Sequence, residues 1–412
     1  MRRSGSFVQR EGRGMHGQHV WRDVAVADLT AEEIQRWRQL AHEAVEPNFC
    51  LDPRFLMPAV AHHPYAAGMR AVIVEREGRM VGFLAYARLR PWRYIPLSLA
   101  TTATPFLNDH ADRHHPLVAA QNPAEIVDAI LAALRRRGMP LWAQLRFFPS
   151  DGVLAEALAH QRSLLVENQF QSAVDRSVGS PSGTPSVDVI DIVDAADHLS
   201  ASRRKSLRRR MRSLEREAGA PITARLWTPD SGTLTDFLNF QASGWKGDRS
   251  RGGEAFLLDP VDASWFSAMM QGFIDDGDAR AISLTCADRL LYLALSVRSG
   301  AARFGFIDSM DDDFSRFGVG TIGRIVEMML LRSESTPRLP LDPALGAGAD
   351  QSAAIYPDRR SFADVWVARQ PWLHAARHPL TVADDLLARV VRLYRSLRHR
   401  VAKTVKPLIG RD

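Results

Sequence analysis

The chain has 412 residues, 46% of them hydrophobic and 24% charged, with a formal charge of +6; this balance fits a folded globular protein and excludes a disordered or collagen-like one. Only Cys50 and Cys286 occur, without a CxxC spacing, which excludes a disulfide framework and a cysteine zinc site and points to a reducing compartment. Two domains are expected at this length. No apolar run approaches the roughly 20 residues that span a bilayer, so a cytoplasmic location is expected.

Residues 1–20 are rich in Arg, Gly and Ser and read as a disordered basic tail without the apolar core of a secretory signal. Thr30-Ala-Glu-Glu33 is a capping-box pattern that opens a helix to about Val45, with Ile34, Trp37, Leu40 and Ala41 on one side. Two β-rich runs at 70–75 and 80–89 flank Arg76-Glu-Gly-Arg79 and predict a hairpin, followed by a third apolar run at 94–101. A helix at 123–137, a strand at 141–148, a helix at 151–160 and a strand at 169–176 complete a first module, residues 21–185. It ends in the polar break Val178-Gly-Ser-Pro-Ser-Gly-Thr-Pro185.

The second module, residues 186–370, starts with a predicted strand at 187–193. A basic helix follows. Between Ser202 and Glu217 eight bases (Arg203, Arg204, Lys205, Arg208, Arg209, Arg210, Arg212, Arg216) stand against two acids, which accounts for the whole excess of +6. Leu207, Met211, Leu214 and Ala218 give it one apolar stripe, so its bases form either a solvated face or a surface for phosphates, nucleic acid or anionic lipid. Next come a strand at 222–227, helices at 234–244 and 264–272, and strands at 280–286, 290–297 and 302–308, whose short links force antiparallel pairing. A helix from Thr321 and a strand at 338–342 close the unit.

Residues 371–412 read as a basic amphipathic helical tail in which Leu386, Leu387, Val390, Val391, Tyr394, Leu397 and Val401 share a face. Such a face suits either docking on the protein's own core or peripheral contact with a membrane at its inner side. The expected fold class is α+β: two modules of similar element order, each a mixed, mostly antiparallel sheet flanked by helices.

The junction between the strand at 302–308 and the helix after it is where chemistry is expected. Ser315-Arg-Phe-Gly-Val-Gly-Thr321 is a glycine turn, and the helix it opens has Ile322, Ile325, Val326, Met329 and Leu330 on one face. A helix start lined by glycines offers open N–H donors and a positive dipole end to a diphosphate, and Arg316 adds a charge-assisted bond. Gly318 to Gly323 also satisfies GxGxxG, with Asp342 further on. A polar loop separates that turn from its strand, however, and too little chain follows Asp342 for a second mononucleotide half. Neither a GxSxG elbow nor a GxxxxGK[ST] loop occurs. The pairs His62-His63 and His114-His115 lie in proline-flanked loops without metal-ligand spacing, so they read as structural or surface residues and no metal is expected.

Meander, polar loop, Gly-x-Gly turn, helix and one further strand together resemble the GNAT acyltransferase superfamily. Several blocks resemble more closely its CelD/BcsL-like branch, bacterial proteins with two GNAT-like modules related to the FemAB peptidyltransferases. They are Ser202-Arg-Arg-Lys-Ser-Leu-Arg-Arg-Arg-Met-Arg-Ser-Leu-Glu-Arg216, Phe237-Leu-Asn-Phe-Gln-Ala-Ser-Gly-Trp-Lys-Gly247, the strand to Asp308, the glycine turn and Ile355-Tyr-Pro-Asp-Arg-Arg360. The resemblance covers residues 188–368 well and the first half loosely. It implies an N-acyltransferase that uses acetyl-CoA or another acyl-CoA as co-substrate. The implied acceptor is an amino sugar or a cell-envelope or exopolysaccharide precursor, and the transfer is direct, in a ternary complex.

The resemblance also implies a site. The pyrophosphate rests on the amides of Gly318, Val319, Gly320 and Thr321 with Arg316, the acyl arm lies along residues 304–308, Asp308 is the first candidate for the base, and Trp245 and Lys246 face the acceptor. At the turn the chain departs from the pattern, with Ser315 where the superfamily's loop carries Arg or Gln. Two rival readings remain: a FemAB-like transferase with aminoacyl-tRNA as donor, its RNA backbone held by the Arg203 to Arg216 face, and a membrane-peripheral scaffold without turnover.

Overall fold

The computed structural model of the chain describes residues 12–161, 164–177, 188–334, 339–346, 354–384, 386–387 and 389–390. The first half runs β1 (Gly12–His16), β2 (His19–Ala25), α1 (Ala31–Glu43), α2 (Pro53–His62), β3 (Arg70–Arg76), β4 (Arg79–Leu89), β5 (Leu99–Thr101), α3 (Pro105–His110), β6 (Leu117–Val118), α4 (Pro123–Arg135), β7 (Trp142–Pro149), α5 (Gly152–Ala159) and β8 (Leu164–Val174). The second half runs α6 (Val189–Asp194), α7 (Ala201–Ala218), β9 (Ile222–Trp227), α8 (Ser231–Ser243), α9 (Pro260–Asp275), β10 (Ala279–Cys286), β11 (Arg289–Ser299), β12 (Ala302–Met310), α10 (Val319–Glu334), β13 (Leu341–Asp342) and β14 (Asp358–Ala368). The fold is α+β, built on two mixed, mostly antiparallel sheets.

Local chemistry accounts for many of these elements. The Thr30 Oγ1 accepts the Glu33 amide at 3.2 Å while Glu33 accepts the Thr30 amide at 2.8 Å, so the capping box starts α1 as its pattern predicts. The meander β10, β11 and β12 pairs antiparallel, as its short links require. Both faces of its central strand are covered, which is why residues 290–295 are a continuous apolar run rather than an alternating one.

Other elements differ from expectation. Residues 12–20, expected in a disordered tail, enter the β1–β2 hairpin, where Trp21 lies so close over Gly14 that a Cβ there would meet its ring at 2.3 Å. Of the run expected as a strand at 187–193, the described residues from 188 on form no strand: the Asp188 carboxylate accepts the amides of Ile190 and Asp191 and starts α6. The proline-rich segment around Pro53 and Pro58 forms α2, with Pro53 at the helix start, where a missing N–H costs nothing. The strand expected at 338–342 is the short β13, and Arg338 lies outside the described residues, as do the break 178–185 and the tail beyond residue 390.

Strand β14 matters most for the architecture. It lies between β7 and β8, antiparallel to both, in a first sheet of order β1-β2-β3-β4-β5-β7-β14-β8, with β6 beside β4. The second sheet has the order β13-β12-β11-β10-β9. The chain thus returns to the first sheet after completing the second. A boundary near residue 185 divides the sequence but not the sheet.

The two halves also share one core. Trp265, Phe266, Met269 and Phe273 of α9 pack with Phe55, Leu56 and Phe106 of the first half and with Phe304 of β12. A second cluster on the other face of the second sheet joins α6, α7 and α10. A C-terminal helix starting at residue 373 sets Leu373 against Trp92, Trp142 and Trp366, and its Asp384 carboxylate accepts the amides of Arg93, Tyr94 and Ile95. Further along it Val382, Leu386, Leu387 and Val390 are exposed. Among the described residues no helix is long and apolar enough to cross a membrane.

Among the ion pairs that join the halves is a cluster around Arg54. The Arg54 side chain, 5% exposed, bonds Asp52 at 2.7 Å from its own half and Asp276 and Asp278 at 2.9 and 2.7 Å from the other, with Phe273 beneath it. Removing the cation leaves Asp52, 1% exposed, without its charge partner. Arg54→Met is expected to lower the unfolding free energy by about 3–5 kcal/mol in urea titrations.

Candidate active site

Two features of β12 create the site. Leu295 pairs with Ile307 and Ser296 with Gly305, so Phe306 is an extra residue and β12 is bulged there. On its other edge β12 pairs with β13 only through Arg303 and Phe304. From Gly305 onward that edge meets no strand among the described residues, and residues 343–346 diverge from it. A cavity of about 220 Å3 fills the splay, with Glu327 of α10 and Tyr356 on its walls.

A second cavity, about 330 Å3, lies around the start of α10 and shares Asp308 and Arg324 with the first. A short helical turn at Asp312–Phe317 ends at Gly318, whose φ of +74° is the left-handed region that glycine enters without strain. The Gly318 N–H donates to the Ser315 carbonyl at 2.9 Å, and the first bond within α10 runs from the Ile322 N–H to the Gly318 carbonyl at 3.0 Å. The amides of Val319, Gly320 and Thr321 come before that bond and have no acceptor among the described residues.

Each residue named from the sequence can now be placed. Gly318, Gly320 and Thr321 line the second cavity, whereas the Val319 side chain is buried in the core. The Gly318 amide is already engaged, so it adds nothing to an anion seat. Arg316 does not line the cavity: its guanidinium pairs with Glu217 and lies over the Phe317 ring. A cation from the basic helix stands against the turn instead, although it too is absent from the cavity lining. Arg210 of α7 reaches over Gly318, where a Cβ would stand 3.0 Å from its Nη1, and it pairs with no acid among the described residues. Its place was hidden because it comes from another helix, more than a hundred residues earlier.

Trp245 and Lys246 sit in the turn after α8 and line the same cavity. The Trp245 N–H donates to Asp312 at 2.6 Å, and Lys246 Nζ donates to the Asp308 carbonyl at 2.5 Å. Burial lowers the Lys246 pKa against the pull of the Asp308 charge.

Asp308 is gripped on both oxygens by Arg324, at 2.6 and 3.3 Å, and accepts from Tyr292 Oη at 3.2 Å. Burial pushes its pKa up, but Arg324, Lys246 and Tyr292 together outweigh burial and hold the carboxyl below the usual range. An aspartate held so firmly ionised orients its partners well and accepts a proton poorly. Glu327, 4% exposed, is the opposite case. Burial, and then the Asp308 charge, push it up to about 8. Arg324 and Glu327, three residues apart, share a face of α10. The charged Arg and Glu breaking an otherwise apolar helix were the available signal.

The histidines have structural partners. His114 and His115 are buried with their Nε2 atoms on backbone carbonyls, and burial lowers them to about 4 and about 3. Ligand atoms of His63, His110 and Asp262 lie within 4.8 Å of one another. His63 Nδ1, however, accepts the Tyr65 amide hydrogen at 3.2 Å, so its own hydrogen is on Nε2, facing Asp262 at 3.2 Å, and that nitrogen has no lone pair for a metal.

Residues 201–326 match the family model described as Acetyltransferase (GNAT) domain. The match begins with α7 and ends inside α10, so it contains Lys246, Asp308, the glycine turn and Arg324. Among solved structures the chain is similar to FemX, at 11% identity over 83% of this chain and 98% of that one, with a TM-score of 0.52. It is also similar to a conserved protein of unknown function from Bacteroides thetaiotaomicron VPI-5482, at 7% identity over 83% and 98%, with a TM-score of 0.51. A tandem GNAT protein from the clavulanic acid biosynthesis pathway is 13% identical over 85% and 99%, with a TM-score of 0.40. No curated protein matches the sequence. The fold is thus one of GNAT-like modules with a FemX-like arrangement, and residues 201–326 match the acetyltransferase domain of the GNAT type.

The raised Glu327 pKa has a sign for stability. Its carboxyl, with a reference value of 4.5, holds a proton in the fold that the unfolded chain has already lost. Its contribution is therefore full below about 4.5, falls as pH rises, and is gone above about 8. Urea titrations from pH 5 to pH 9 are expected to show the wild type losing stability relative to Glu327→Gln, with the change complete by about pH 8.

Proposed function

We propose that the protein transfers an acyl group from acyl-CoA to an amine, within a ternary complex, and that the start of α10 holds the diphosphate of the coenzyme. The observation that carries this reading is the meeting of three open amides, at Val319, Gly320 and Thr321, with a cavity that Gly318, Gly320 and Thr321 line, and with Arg210 standing against Gly318. A diphosphate there gains N–H donors, the positive end of the helix dipole and one guanidinium. Arg210 then supplies the charge that Ser315 lacks. From this seat the splayed edge of β12 offers a path for the acyl arm past Asp308 to the bulge at Phe306.

The other groups divide the remaining work. Arg324 and Lys246, held by Asp308, keep positive charge beside the path, where a thioester oxygen gains negative charge on attack. Trp245, 37% exposed, offers a ring to the acceptor. An amino sugar or a cell-envelope or exopolysaccharide precursor, as for the CelD/BcsL-like branch, is the acceptor class proposed, in the cytoplasm. The exposed Val382, Leu386, Leu387 and Val390 support peripheral contact of the C-terminal helix with the inner membrane face.

One observation favours a second reading. The face of α7 with Lys205, Arg208, Arg209, Arg212 and Arg216 lines a groove of about 1330 Å3, larger than either site cavity. It suits an RNA backbone and hence an aminoacyl-tRNA donor.

Calorimetry separates the two. Acetyl-CoA is expected to bind with micromolar affinity, and Arg210→Ala to weaken it about tenfold, or about 1.4 kcal/mol, while Arg316→Ala stays within about twofold. For the second reading, tRNA affinity must fall steeply between 50 and 200 mM salt, by roughly a thousandfold for about six phosphate contacts; no tRNA binding at low salt removes it.

A further inference from the structure

A single hydroxyl stands between two carboxyls at this site. Tyr292 Oη lies 3.2 Å from Asp308 Oδ2 and 3.1 Å from Glu327 Oε2. A phenol has one hydrogen, so it donates to one carboxylate and accepts from the other carboxyl, which must then carry a proton. Asp308 is not the protonated partner, because Arg324 occupies both of its oxygens. The proton belongs to Glu327, in an ordered chain from Glu327 through Tyr292 to Asp308.

Glu327 also faces the start of the splay in β12. Its other oxygen, Oε1, is 3.5 Å from where a Cβ on Gly305 would stand. Gly305 is the first residue of β12 beyond its pairing with β13 and the partner of Ser296 at the bulge. Glycine there leaves the carboxyl open to the cavity in the splay. Nothing in the anion seat needs a buried acid about two turns further along the helix, and burying one without a partner charge is costly.

We propose that Glu327 is the general base of the acyl transfer and that Tyr292 positions it. This rests on the acyl-CoA reading of the site and deepens it. The lone pair of the acceptor nitrogen forms the C–N bond, the C–S bond breaks, and its electron pair leaves on sulfur. The proton lost by nitrogen goes to the Glu327 carboxylate and from there to the thiolate, so the carboxylate is restored.

The groups facing Glu327 are Arg324 on its own helix, Asp308 on β12, Tyr292 on β11, and Tyr356 and Asp112 across the cavity. At neutral pH the base is masked by its own proton. The carboxylate forms as pH rises through about 8, so turnover rises through that pH and levels above it.

The test uses the full chain, acetyl-CoA as donor and hydroxylamine as a small acceptor, with thiol release corrected for the reaction without enzyme and followed from pH 6 to pH 9.5. Wild type is expected to show a rising limb centred near pH 8. Glu327→Gln should lose that limb and roughly a hundredfold in rate at pH 9, with acetyl-CoA affinity by calorimetry within about twofold. Glu327→Asp should restore part of the rate and a limb, whereas Tyr292→Phe should keep a limb and move its midpoint. A Glu327→Gln enzyme with the wild-type limb and rate overturns the base and leaves the coenzyme site standing. Absent acetyl-CoA binding by wild type overturns the site itself. Infrared spectra give a reading that needs no turnover: a carboxylic acid band present at pH 6, titrating near pH 8 and missing from Glu327→Gln is expected, and its absence from wild type overturns the assignment.

Discussion

The close approach of α10 to β11 at Gly323 governs the site. A Cβ at Gly323 would lie 2.5 Å from the Tyr292 ring, nearer than any side chain tolerates. The helix therefore lies directly on the tyrosine. That contact sets three things at once: the height of the open amides at the helix start, the reach of Arg324 to Asp308, and the place of Glu327 beside Gly305. A helix raised even slightly from the sheet would stretch the Arg324 pair and take Glu327 from the Tyr292 hydroxyl, because a buried hydrogen bond weakens within a few tenths of an ångström.

Charge is arranged along the path from the helix start to the bulge rather than spread over it. The seat is positive, through amides, helix dipole and Arg210. The middle is a bidentate pair of Arg324 and Asp308, neutral as a unit. At the far end lies an acid whose charge is suppressed by burial. Two carboxyls joined by one hydroxyl cannot ionise with equal ease, since the second charge must form in the field of the first. The cation at Asp308 decides which of them ionises first.

The rest of the molecule holds this arrangement still. α9 is buried between the halves, Arg54 ties Asp52 to Asp276 and Asp278, and β14 returns to the first sheet. Separating the halves would expose the aromatic cluster of Phe55, Phe106 and Trp265 and part Asp276 and Asp278 from Arg54. The turn carrying Trp245 and Lys246 is tied to the site as well, its backbone resting on Asp312.

The local chemistry of the chain determined much that the structure contains. The capping box of α1, the three-stranded meander and the glycine turn before α10 follow from patterns a few residues long, because hydrogen bonds within a turn or a hairpin depend only on neighbours. Gly320 and Thr321 could be named on that basis, and Asp308, Trp245 and Lys246 through the resemblance; all five line the two cavities. Only the tertiary structure decided what those residues meet. Arg210 and Glu327 entered the site through packing between separate elements, Arg316 was drawn to Glu217 instead, and β14 found its place between β7 and β8, strands more than 180 residues away in the chain. Such choices depend on which surfaces a compact fold brings within a few ångströms. That is a property of the whole packing, which short spacings do not record.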